Sequence, residues 1–308
     1  MHYPSNRTMS TAGGQHGRVG ASSTGHWLSG FVLAMLASSL ARATILVVSS
    51  PVHFPDTPGY LRLARLIGAG QVASDQGQRT PGYSAFVLIN GMDEQAVRMA
   101  QYALGLALVA GVFYVLWKLT NSQWLASLGA FLCGLNAGEI FFESALLTEA
   151  LSTFLLVTTL VLLVLIRDES SCASLKLILL GAAVGILPLV RPLYVYMPLL
   201  LAIPVLGMLT TCRRRFWLFI LPAVLPAILW ASYLGSTFGY FGLQTVSGFG
   251  WTNHAGPFMR DAPEQYAAIR DIYLRHVSHG GNIWTSIPDM QRATGQSYPE
   301  LSKTVQRL

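Results

Sequence analysis

Long apolar runs alternate with short polar connections from Trp27 to Leu234, and each run approaches the ~20 residues that carry a helix across a bilayer. The pattern predicts spans at about 28–48, 97–117, 123–138, 146–166, 175–190, 193–211 and 216–234, about seven in all. The fifth is short, with Lys176 and Arg191 as interfacial anchors at its ends. Gly181 and Gly185 in this span, and Gly134 and Gly138 in the third, have the four-residue spacing that lets two helix backbones approach closely. In the first run, Phe31 to Leu40 has the look of a signal-peptide core and Ala41-Arg42-Ala43 that of a cleavage site, but apolar residues continue to Val48. We therefore read a span, with Arg42 near its far end reaching toward the headgroups.

Polar stretches complete the outline. Residues 1–27 are rich in Gly, Ser, Thr and His without apolar periodicity, which predicts a disordered tail. Lys and Arg gather in alternate connections: Lys118, then Arg167 and Lys176, then Arg213 to Arg215, whereas 139–145 carries only Glu139 and Glu143. By the positive-inside rule the N-terminal tail is cytoplasmic, while the loop 49–96 and residues 235–308 are extracytoplasmic. The C-terminal region changes character. Asp261 and Glu264 read as a capping box, Ile269, Ile272 and Tyr273 as a helical stripe, and Gly248-Phe-Gly250 as a flexible loop. Ser297-Tyr-Pro-Glu opens a helix with Leu301, Val305 and Leu308 on one face. A helix cut on its apolar face suggests a chain that continues, so 235–308 is expected to be the start of an extracytoplasmic domain.

Composition agrees. Hydrophobic residues make up 52% of the chain and charged ones 11%, with a mean hydropathy of +0.47, far from soluble domains with about 25% charge. The expected class is an all-α, multi-pass integral membrane protein. The net charge of +6 is spread between the apolar runs, which excludes a nucleic-acid interface. Cys133, Cys172 and Cys212 lack any metal or disulfide spacing. His276 and His279 share a helix face with no third ligand evident, so no metal or other cofactor is implied. No phosphate-binding glycine loop or dinucleotide fingerprint occurs.

Candidate chemistry concentrates in the first loop. Asp56 follows the first span and precedes a helix expected over 57–69, with Tyr60, Leu61, Ala64 and Ile67 on its apolar side and Arg62 and Arg65 one turn apart. Such a basic amphipathic helix lies at the membrane surface and favours lipid phosphates. Asp56 itself can be an N-cap or a catalytic base. Arg79-Thr-Pro-Gly-Tyr83 gives a rigid turn with a cation beside an aromatic. Glu149 sits a turn inside the fourth span, where an ionisable side chain is a functional candidate by default.

The strings Phe54-Pro-Asp56-Thr-Pro-Gly-Tyr60, Arg79-Thr-Pro81-Gly82-Tyr83, Glu143-Ser-Ala-Leu-Leu-Thr148-Glu149 and Gly181 to Arg191-Pro192 together resemble the GT-C glycosyltransferases. They are most similar to the branch around protein O-mannosyltransferases and lipid A aminoarabinose transferases. The resemblance covers about residues 28–260. It implies an inverting transfer of a sugar from a polyprenyl-phosphate-type lipid to an acceptor hydroxyl at the extracytoplasmic face of a bacterial plasma membrane. The acceptor would be a glycan, a lipid or a protein. Asp56 occupies the place of the family's catalytic base, and Thr57 stands where some relatives carry a second acid. Tyr60, Arg62, Arg79, Tyr83, Glu143, Glu149 and Arg191 become the candidate substrate-binding residues. The alternative is a transporter or flippase of a lipid-linked or small polar substrate, with Arg42 and Glu149 lining its path, although no internal repeat is evident.

Overall fold

The computed structural model describes residues 24–167, 174–209 and 213–307. Every regular element among them is helical. Helix α1 (Thr24–Val48) leads into two short loop helices, α2 (Thr57–Gly68) and α3 (Pro81–Ile89), and then into α4 (Glu94–Thr120). A bent pair follows, α5 (Gln123–Gly134) and α6 (Ala137–Ser144), then α7 (Glu149–Arg167), α8 (Ser174–Val190), α9 (Met197–Met208) and α10 (Trp217–Phe238). Four smaller helices close the described chain: α11 (Ser247–Ala255), α12 (Ala267–Ser278), α13 (Ile283–Thr294) and α14 (Tyr298–Gln306).

All seven apolar runs are helices, but their lengths differ from expectation. Four segments, Gly30–Val48, Glu94–Thr120, Glu149–Arg167 and Arg213–Phe238, are long and apolar enough to cross a membrane, and α5 with α6 makes a fifth if that pair is one span. Helix α8 has 17 residues, about 25 Å at 1.5 Å per residue, short of the ~30 Å hydrocarbon core. The third run does not continue straight. It breaks after Gly134 and bends by 47°, because the Asn136 side chain accepts the Glu139 N–H at 3.0 Å and starts a new helix there. What reads as an outer turn, 139–145, is thus mostly helical.

Glycines set the tightest contacts. A Cβ on Gly181 would stand 2.3 Å from the Phe219 carbonyl oxygen and one on Gly185 2.2 Å from that of Pro222, so the predicted small-residue face of α8 is where α10 packs. Gly134 meets Ser38 of α1, whereas Gly138 lies beyond the bend and faces only its own Asn136. Arg42 does not reach for the headgroups. It is buried, pairing with the equally buried Glu143 at 2.5 Å and donating to the Gly134 carbonyl at 2.9 Å. The neighbouring Arg98 is also buried and donates to the Ser49 and Leu46 carbonyls at 2.7 and 2.9 Å, closing the C-terminal end of α1 where the helix dipole favours a cation.

The C-terminal helices share a separate core that includes Phe249, Met259, Ile269, Ile272, Tyr273 and Leu301. The predicted stripe of α12 and the Leu301–Val305 face of α14 are buried in it; Leu308 lies outside the described residues. Glu300 accepts from the Ser297 N–H at 2.9 Å, as a capping box requires. Asp261 makes no such box: it ends a 3₁₀ turn, and Glu264 pairs with Arg270 at 3.2 Å. Gly248 and Gly250 belong to α11 rather than to a loop. The unit is tied to the first loop by Thr245, whose N–H donates to the Gly77 carbonyl at 2.8 Å and whose hydroxyl donates to that of Gln76 at 2.9 Å.

Candidate active site

The first loop is pinned before α2 begins. Val52 and Ala145 form an isolated parallel bridge, with the Val52 N–H donating to the Ser144 carbonyl at 2.9 Å and the Leu146 N–H to that of Val52 at 3.1 Å. The Thr57 hydroxyl accepts the Phe54 N–H at 3.0 Å and donates to the Leu146 carbonyl at 3.2 Å. These bonds turn the chain so tightly that Asp56 already has helical dihedrals, φ −81° and ψ −24°. An N-cap side chain needs an extended backbone to fold back over the first turn. The capping expectation for Asp56 is therefore corrected: its carboxylate makes no cap bond. It reaches outward instead and meets the Arg79 guanidinium at 2.6 Å, with about half of the side chain exposed.

Arg79 is positioned from three sides. Its backbone N–H donates to Asp75 at 3.1 Å, its guanidinium lies 5.3 Å from the Tyr60 ring centroid, and a Cβ on Gly59 would stand 3.1 Å from its Nε. Glycine at 59 leaves the room that this cation occupies. Pro81 opens α3 at its first turn, so the expected rigid turn is a helix start. A Cβ on Gly82 would lie 2.6 Å from the Leu189 carbonyl oxygen, which sets the Arg79 segment directly against the end of α8. On that end Arg191 pairs with Glu149, the first residue of α7, at 3.0 Å.

Asp56, Tyr60, Arg79, Glu149 and Arg191 thereby line one recess of about 190 Å³, completed by Gln244 beyond α10. A wider cleft of about 900 Å³ shares Asp56, Arg79 and Gln244 and extends beneath α11 and α13. Three candidates stand apart from both cavities. Tyr83 is fully buried, packs edge-on to Tyr60 with centroids 5.0 Å apart, and donates its hydroxyl to Gln101 at 2.9 Å. Its place is behind the recess, in the lining of neither cavity. Glu143 is buried against Arg42, and Arg62 is held by Asp75 at 2.8 Å and Gln78 at 2.9 Å on the outer flank.

Burial raises the Tyr60 phenol pKa even though Arg79 opposes it, and burial likewise pushes Tyr83 up, so both rings stay protonated around neutral pH. Burial also raises Asp75, against the hydrogen bond from Arg62.

Sequence reasoning missed Asp75, Gln101 and Gln244. Gln101 carried a signal, since a polar side chain inside an apolar span is a candidate by default. It donates to the carbonyls of Glu143 and Ala145 at 2.7 and 2.8 Å and so holds the segment facing Val52. Asp75 ends a 3₁₀ turn and Gln244 sits in a loop, with no pattern to mark either.

Outside the site, His276 bonds to Asp289 at 2.8 Å and His279 to the Arg275 carbonyl at 2.8 Å, so the two imidazoles have different partners. Among the described residues no group of three or more His, Cys, Asp or Glu is placed to hold a metal ion. Cys133 is a free thiol; Cys172 and Cys212 lie outside the described residues. No family model, curated protein or solved structure matches the chain.

Proposed function

We propose that the protein is a membrane glycosyltransferase that moves a sugar from a polyprenyl-phosphate-type lipid to an acceptor hydroxyl, with inversion. The observation that carries this reading is the half-exposed Asp56 carboxylate, released from helix capping, in a recess with two guanidiniums, Arg79 and Arg191. A displacement at an anomeric carbon needs a base on one side and positive charge on the other. The acceptor hydroxyl attacks that carbon and gives its proton to Asp56. The bond from carbon to phosphate oxygen breaks, and its electron pair leaves on the lipid phosphate between Arg79 and Arg191.

At rest each guanidinium is neutralised by a carboxylate. A phosphate that takes Arg79 from Asp56 frees the base in the same event, so donor binding prepares the site for the acceptor. A charge-assisted contact of this kind contributes about 1.5–3 kcal/mol, and Arg79→Ala or Arg191→Ala should each weaken donor binding roughly 10- to 150-fold. Unchanged affinity in both variants would make these residues structural anchors. The reading as a whole is tested by sugar transfer from a synthetic polyprenyl-phosphate donor, against movement of the same lipid across a sealed liposome. Movement without transfer would replace the enzyme by a flippase.

The same reading takes all seven apolar helices as spans. Arg191 after α8 and Gln244 after α10 line one recess, which is compatible with two crossings between them, by α9 and α10. Lys118 and Arg167, in the last turns of α4 and α7, lie at the opposite end, and the positive-inside rule favours the cytoplasm for it. In intact spheroplasts of a Cys-free background, a cysteine at Ser74 should react with an impermeant reagent while one at Ser171 is protected. The reverse pattern would invert the topology.

A further inference from the structure

We propose that the wide cleft beneath α11 and α13 is the acceptor subsite and that it takes a neutral saccharide. The inference rests on the transferase reading and narrows its acceptor to one chemical class. At about 900 Å³ the cleft has the size of a site for a small organic molecule rather than for a folded partner.

Its walls carry two indoles, Trp251 on α11 and Trp284 at the start of α13, which remain 68% and 42% exposed. Trp284 is backed by the buried Phe249, 6.3 Å away between ring centroids, so the indole has a fixed seat from which to present its exposed surface. Gln244, His254, Asn282 and Thr285 lie in the same lining. The Asn282 side-chain Oδ1 accepts from the Trp284 and Thr285 N–H groups at 3.0 and 3.3 Å, which leaves the side-chain NH₂ as the donor toward a ligand.

Charge decides the class. Apart from the mutually paired Asp56 and Arg79, no carboxylate, ammonium or guanidinium among the described residues lines this cleft. Arg79 is common to both cavities and is taken up by the donor phosphate, so a phosphorylated ligand in the cleft would find no second cation, whereas the narrow recess adds Arg191. A pyranose ring has an apolar C–H face and a rim of hydroxyls, and it matches a lining of indoles alternating with neutral amides and hydroxyls. Asp56 belongs to both cavities. It stands where a hydroxyl of a saccharide in the cleft would meet the anomeric carbon of a donor in the recess.

The test is calorimetric titration of the full chain in nanodiscs with neutral trisaccharides of mannose, glucose and N-acetylglucosamine. A hydroxyl-rich Ser/Thr peptide and undecaprenyl phosphate serve as comparators. Saturable binding of at least one trisaccharide is expected, weakened at least about tenfold by Trp251→Leu and by Trp284→Leu, which keep apolar bulk but remove the ring. Trp251→Phe should restore part of the loss, and Arg191→Ala should leave trisaccharide binding intact while weakening undecaprenyl phosphate. No saturable trisaccharide binding, equal affinity in both Leu variants, or tighter binding of the peptide would overturn the proposal. So would Leu variants that lose membrane insertion yet keep trisaccharide affinity, since the indoles would then be interfacial anchors. The two readings fail separately: Trp-dependent saccharide binding without any transfer leaves the saccharide site and removes the enzyme. Transfer onto a peptide without saccharide binding does the opposite.

Discussion

Asp56→Asn is expected to reduce sugar transfer by at least about 100-fold while donor binding persists, because a positioned general base contributes typically ~100- to 10,000-fold. Asn keeps the size of the side chain and removes its basicity. Helix α2 should be indifferent, since the carboxylate makes no cap bond to lose. The ion pair with Arg79 involves a half-exposed carboxylate, and pairs of that kind contribute about 0–1 kcal/mol to stability. Asp56→Ala should therefore match Asp56→Asn in stability as well as in lost turnover. Donor affinity is the second readout. With Asp56 neutral, Arg79 has no competing carboxylate at 2.6 Å, and the phosphate should bind at least as tightly as to the parent protein. Near-normal turnover in a purified, inserted Asp56→Asn protein would remove Asp56 from the mechanism, and Glu149, the other carboxylate of the recess, would be examined next.

Local pattern and long-range geometry divide what could be read in advance from what could not. Apolar runs located the seven apolar helices, and the Gly181–Gly185 spacing named the face of α8 that meets α10, because both depend on residues close in the chain. The break between α5 and α6 hid inside a continuous apolar run: only the Asn136 cap betrays it, and hydropathy does not register a cap. Asp56 had the right type and place for an N-cap, but its dihedrals answer to the Val52–Ala145 bridge, a contact between distant parts of the chain that no local pattern encodes. Arg42 looked like an interfacial anchor for a similar reason. Its partner Glu143 lies 101 positions further on, and the pair forms only once α6, packed on α4 and α7, comes within side-chain reach of α1. Convergence of Asp56, Arg79, Glu149 and Arg191 on one recess likewise joins four separate segments. Each was a candidate on its own chemistry, while their distances, and the wide cleft beside them, required the fold.

Removing Arg42 is expected to destabilise the protein more than any change at the recess. Arg42 and Glu143 are 2% and 0% exposed, with contacts of 2.7 Å from Nε and 2.5 Å from Nη2 to the two carboxylate oxygens. The carboxyl occupies a notch left by Gly105, where a Cβ would stand 2.0 Å from Oε1, so Glu143 has little room to turn toward another partner. Arg42→Met leaves that carboxylate buried and uncompensated, which typically costs about 3–5 kcal/mol. Arg42→Met with Glu143→Leu removes both charges, and most of the loss should return because an apolar replacement of a buried pair is often neutral. Thermal transitions of the parent, the two single variants and the double variant give the coupling directly. A single Arg42→Met as stable as the parent would show that the pair does not hold α1 to α6. If that variant instead kept its stability and lost movement of a substrate across sealed liposomes, Arg42 would line a path, and the transporter reading would displace the enzyme.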